Sequence, residues 1–174
     1  MNPEKDKHLC EKYPKIFADR SKSIYQSCMG WGFEHGDGWF HIIDTLCQNI
    51  QHHIDSCNEN NRKNAEYNLM IEDAKKGNWD AYNEYYKDFE NKALKDAIHD
   101  TPRRVTDDVP PQVVARQVKE KYGGLCFYYS GGDEYIEGLV SMAEALSYRI
   151  CEKCGNPGST NKNGWISTLC ESCR

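Results

Sequence analysis

The sequence predicts an α+β protein closed by a zinc ribbon, on three observations. From Phe40 to Cys57 an apolar residue recurs every three or four positions, the spacing of one helical face. The run Leu125–Tyr129, rich in aromatics, follows Gly123 and Gly124 and reads as the second arm of a hairpin. Two Cys-x-x-Cys pairs stand near the C-terminal end, Cys151/Cys154 and Cys170/Cys173, with fifteen residues between them.

The elements follow in order. Residues 3–28 read as a short helical region, interrupted at Pro14, with Ile16, Phe17, Ile24, Tyr25 and Cys28 as its apolar positions. Residues 30–38 hold four glycines, which permit turns that other residues resist. The next helix buries the stripe Phe40, Ile43, Cys47, Ile50, Ile54 and Cys57, with Asp37 as its N-cap. Residues 62–76 predict a further helix ending at Gly77, and Trp79, Tyr82, Tyr86, Phe89 and Ala93 a stripe running to about Ile98. Residues 101–112 carry three prolines without periodicity and predict a linker or loop. The first hairpin arm, from Val113, reads equally as a strand or as a helix stopped by glycine. Asp133 caps a helix carrying Ile136, Leu139, Val140, Ala143 and Leu146. Trp165–Leu169 is an expected strand leading into the second cysteine pair. The expected organisation is a helical region (1–100), a linker or loop (101–112), a hairpin–helix unit (113–150) and a zinc ribbon (151–174).

The bulk numbers constrain function. A net charge of −5 over 174 residues argues against a protein that coats DNA. No run approaches the roughly 18–20 apolar residues of a membrane span. The charged N-terminal stretch lacks the apolar centre of a secretory signal, so a cytoplasmic location is expected. In that reducing compartment nine cysteines serve as metal ligands or small core residues rather than disulfides.

Two residues between cysteines let both sulfurs of a pair face one ion, and two pairs complete a four-thiolate shell. All four positions are filled by protein, which points to a structural zinc ion rather than a catalytic one; an iron–sulfur cluster or a redox dithiol shares the motif. A ribbon this small has almost no apolar core, so the metal supplies its folding free energy. Three weaker constellations stand beside it. Glu34, His35, Asp37, His41 and Asp44 form a polar cluster that reads either as an acid–base or metal site or as a solvated cap and helix face. Arg103, Arg104, Arg116, Lys119 and Lys121 lie near Tyr122 and Phe127–Tyr129, either as a binding surface for single-stranded nucleic acid or as a solvated face. Ser130–Asp133 reads as a helix cap rather than a phosphate loop, because Asp133 and Glu134 already bring negative charge there.

The stretch QVKEKYGGLCFYYSGGDEYIEGLVSMAEALSYRICEKCGNPG, followed by GWISTLCESC, resembles a group of small proteins encoded by bacteriophages and prophages. The earlier GDGWFHIIDTLC is similar to a glycine–tryptophan helix start in the same group. The resemblance implies a phage product in the bacterial cytoplasm with a terminal zinc-binding module. It implies no activity and supplies no catalytic residue. The leading expectation is a non-enzymatic protein that binds a host protein or a small signalling nucleotide. The alternatives are a nucleic-acid-binding regulator using the ribbon and the basic residues, and a metal-dependent enzyme.

Overall fold

Pro14 ends the first helix early. A computed structural model describes residues 1–89, 92–161 and 164–174, with side chains left undescribed at 92 and 93. Helix α1 spans Pro3–Lys12, begun by the Asn2 side chain, which accepts from Lys5 N. The residue before a proline disfavours helix, and the chain continues as turns through residue 26. Ile16 and Phe17 are buried, but Ile24 and Tyr25 are exposed, so the expected helical region stops short of them. Strand β1 (Phe33–Glu34) arises within the glycine-rich stretch, where only turns were expected.

Helix α2 runs unbroken from Phe40 to Lys75 and ends before Gly77, whose φ of 95° suits glycine. The stripe Phe40–Cys57 and residues 62–76 read as two helices; the asparagines between them, at 58, 60 and 61, are weak helix formers, yet the helix continues through them. Surface pairs carry the helix through: Arg62 bonds Glu59 and Glu66, and Lys63 faces Glu59, spacings at which opposite charges support a helix. Asp37 does not cap α2. Its carboxylate accepts instead from the backbone and side-chain amides of Asn2, and the Asn2 N–H leads the causes that hold it below the usual carboxylate range.

The chain forms two compact units. The first is Met1–Ile54 with Pro110–Arg174. Its sheet has the order β1-β2-β3, with β2 (Val114–Lys121) parallel to β1 and antiparallel to β3 (Gly124–Ser130). The first hairpin arm is thus a strand. The buried core gathers Leu9, Ile16, Trp39, Ile43, Cys47, Ile50, Val118 and Phe127. Helix α5 (Glu134–Ser147), capped by Asp133, adds Ile136, Val140 and Ala143. It also covers the edge of the sheet. Ser147 Oγ accepts from Leu125 N–H at 2.8 Å and Glu144 Oε1 from Phe127 N–H at 2.8 Å, so side chains stand where a further strand would otherwise pair. At the hairpin tip, Tyr122 and Gly123 both have positive φ, 53° and 81°, as a type I′ turn demands. A tyrosine held there costs roughly 1–2 kcal/mol.

The second unit is Asp55–Val109. Met70, Ile71, Ala74, Tyr82 and Ile98 form its core. The expected single stripe from Trp79 breaks into helices α3 (Asp80–Tyr85) and α4 (Lys92–Asp96). Tyr82 is buried, Phe89 is 71% exposed, and the side chain of Ala93 lies outside the described residues. Residues 101–109 hold neither helix nor strand, yet three asparagines of α2 fix them. Asn68 both donates to Arg104 O (2.9 Å) and accepts from Arg104 N–H (2.8 Å). Asn61 is bonded in the same way to the backbone of Asp107, and Asn64 donates to Val105 O at 2.8 Å. No helix among the described residues is long and apolar enough to cross a membrane.

Candidate metal centre

After α5 the chain passes through Ile150, bridged to Pro157, into the first cysteine pair. The turn is closed by Gly155 N–H donating to Cys151 O at 2.8 Å, with Gly155 at φ 82°. Strands β4 (Ser159–Thr160) and β5 (Thr168–Leu169) pair antiparallel and deliver the second pair. The expected strand from Trp165 is therefore shorter, and Trp165 is exposed. A one-turn helix, Glu171–Cys173, brings Cys173 back, and Lys153 Nζ donates to Cys173 O at 3.1 Å.

The four sulfurs of Cys151, Cys154, Cys170 and Cys173 all lie within 4.8 Å of one another, and those of Cys154 and Cys170 are 3.5 Å apart. A tetrahedral ion with bonds of about 2.3 Å needs sulfurs about 3.8 Å apart, so the cluster fits a single metal ion. Local donors favour the thiolate at Cys170 and Cys151, whereas the hydrogen bond with Cys170 leads the causes that push Cys173 up to about 12, and Cys154 is also raised on balance. The Ser172 hydroxyl, 3.1 Å from Cys170 Sγ, leads the causes that bring that thiol down to about 6. Burial works against ionisation at Cys151, but N–H groups of Cys170, Cys154 and Lys153 lower it on balance.

The ribbon is joined to its unit at both ends. On one side, Gly38 N–H donates to Glu152 O (2.7 Å), Gly36 N–H to Glu152 Oε1 (2.9 Å), and Trp39 Nε1 to Ile150 O (2.9 Å). A Cβ on Gly38 would stand 2.0 Å from Cys151 O, so close an approach is open to glycine alone. On the other side, buried Thr168 donates through Oγ1 to Gly123 O at 2.6 Å, tying β5 to the hairpin tip. These contacts were not foreseen from sequence. The signal available was the density of glycine beside Trp39, which reads as turn chemistry until its partner is known.

The polar cluster is drawn into separate partnerships. Glu34 accepts from Gln117 and Asp37 from Asn2. Asp44 accepts from Lys12 Nζ and Tyr13 Oη, both at 2.7 Å; these donors outweigh burial and keep its carboxyl below the ordinary range. His41 is exposed on an apolar groove of about 270 Å³ with Leu139 and Met142. His35 is buried, and its Nδ1 donates to Gly36 O at 2.8 Å because a carbonyl can only accept. Its Nε2 is buried without a partner among the described residues, and burial pushes the ring down to about 4.

The basic residues divide between the units. Arg103 faces Glu72, and Arg104 stacks over the Tyr67 ring at 3.5 Å, both in the second unit. In the first, Arg116 pairs with buried Asp19 and with Ser130. Lys119 lies over the Tyr128 ring and Lys121 over Tyr122. Comparison with protein-family models, curated proteins and solved structures finds no match to the chain.

Proposed function

We propose that this chain is a non-enzymatic binding protein whose four cysteines hold one structural zinc ion. The closed donor set carries the reading: four thiols converge within 4.8 Å, and a four-thiolate shell leaves no coordination position for water or substrate. Zinc when bound supplies the folding free energy of the ribbon. The chain's own groups then fix where the ribbon stands, through Gly36, Gly38 and Trp39 on one side and Thr168 on the other. Residues 117–158 and 164–173 resemble phage and prophage proteins, which supports a phage product that meets a host component in the bacterial cytoplasm. A host protein is the first reading of that component. Nucleic acid is the second, favoured by Lys119 and Lys121 among exposed tyrosines on one strand face.

Elemental analysis tests the metal. The purified chain should carry one zinc per molecule, and Cys154→Ser with Cys170→Ser should abolish it; iron in its place would overturn the zinc assignment. Capture from host lysate with and without nuclease tests the partner. A stoichiometric protein that survives nuclease supports the first reading, and nucleic acid alone supports the second. Metal-dependent cleavage of added nucleotides or nucleic acids would overturn the non-enzymatic reading.

A further inference from the structure

The register of the hairpin sorts its side chains. Val118 faces Phe127 across the strands and both are buried. The alternate residues therefore point to the outer side: Lys119 opposite Cys126, Lys121 opposite Gly124, and Gln117 opposite Tyr128. Lys119 Nζ stands 5.5 Å from the Tyr128 ring centre and Lys121 Nζ 5.6 Å from that of Tyr122. Among the described residues neither ammonium has a carboxylate partner, whereas nearby acids are already engaged. Glu120 accepts from Gly123 N–H, Glu144 from Phe127 N–H and Glu34 from Gln117. Beside Lys121, the Tyr148 ring lies against Gly124, where a Cβ would come within 2.3 Å of it.

The row ends in a cleft of about 440 Å³ at the hairpin tip, lined by Glu120, Lys121, Tyr122, Gly164, Trp165 and Ile166. Tyr122 is 69% exposed and Trp165 84%. Neither ring gains much burial in this fold, and Tyr122 occupies a left-handed position that asparagine or glycine would fill with less strain. A strained backbone carrying an exposed aromatic ring points to use of the ring outside folding. The Thr168–Gly123 bond holds the two tips together.

We propose that this face binds single-stranded nucleic acid, with bases stacked on Tyr122 and Trp165 and phosphates drawn to Lys119 and Lys121. Alternating cations and exposed rings supply the two interactions such a strand needs. Flat rings and point charges read neither base identity nor the 2′-hydroxyl, so DNA and RNA strands are bound alike. The proposal deepens the second reading of the partner and rests on the chain being a binding protein.

Fluorescence anisotropy of a labelled twelve-nucleotide oligothymidylate, titrated with the zinc-loaded full chain at low salt, tests it. Tyr122→Asn retains the left-handed turn while removing the ring; it and Trp165→Ala should each weaken binding by about 5- to 160-fold. Lys119→Ala with Lys121→Ala should lower the log–log salt slope by about 1.4. An oligouridylate should bind within a few-fold of the thymidylate. Zinc content and circular dichroism of the variants establish that they fold. No binding at low salt, equal binding to duplex, or wild-type affinity in both ring variants would overturn the proposal. A nuclease-resistant protein partner captured alongside any of those results leaves the broader binding reading standing.

Discussion

A methyl group at position 38 would meet the Cys151 carbonyl oxygen at 2.0 Å and the Gly155 nitrogen at 2.5 Å. Both are backbone atoms of the knuckle and cannot turn away. Gly38→Ala should therefore destabilise the chain by about 1–3 kcal/mol or more, as overpacking does. A denaturation midpoint measures that cost, and transfer of the bound metal to a chelator should become faster. His35 gives a second residue-scale prediction. Its folded value is near 4 against an ordinary 6.5, so the unfolded chain takes up the proton first. The contribution of neutral His35 is complete above about pH 6.5 and is lost as pH falls toward 4, to a total of about 3 kcal/mol. His35→Phe should flatten that part of the stability–pH curve. Acid release of metal acts on both proteins, so the difference between their curves isolates the ring. The role of Gly38 was hidden in the sequence because it is defined by residues 151–155, more than a hundred positions away. His35 is enclosed by neighbours close in sequence, the Phe33 and Trp39 rings, but its spacing alone does not tell a buried ring from a solvated one.

Helices and strands were more legible where their signals are local. The stripe at Ile43, Cys47, Ile50 and Ile54 is buried as read, and Asp133 caps its helix through Ile136 N–H. The stretch from Trp79 was not, because Tyr82 packs with Trp79 and Tyr86 while Phe89 turns outward. A period of three and four residues records spacing, not the point where a helix stops. Asn61, Asn64 and Asn68 of α2 recur on one face at spacings that align helical side chains. They meet the backbone of residues 104–107 much as a strand would. Asn68→Ala removes two of these bonds and should destabilise the second unit by about 1–3 kcal/mol. Trypsin reports it directly, since Arg103 and Arg104 lie in the held segment and cleavage there should accelerate. Unchanged cleavage would show that the ladder does not hold the segment.

For the molecule as a whole, the cysteine quartet and the α+β class were readable, because metal spacing and strand composition survive without knowledge of partners. The attachment of the ribbon was not, because it depends on carbonyls whose positions only the fold defines. That attachment makes metal removal a test of the first unit. Trp39 is fully buried and donates to Ile150 O beside the first cysteine. In a protein where Trp31, Trp79 and Trp165 are replaced by Phe, chelation should shift Trp39 emission to the red. Unchanged emission would mean that the first unit keeps its packing without the ribbon.

The second unit is contributed by one unbroken stretch, Asp55–Val109, whereas the first draws on segments to either side of it. Synthesis on the ribosome runs in one direction, and domains close as their residues emerge. The inserted unit has all its partners once Val109 is out. Ile43, Cys47 and Ile50 are made earlier but must wait for Val118, Phe127 and Val140. The oldest part of the chain is thus the last to be buried, and during that interval its apolar face is what a nascent-chain chaperone would hold.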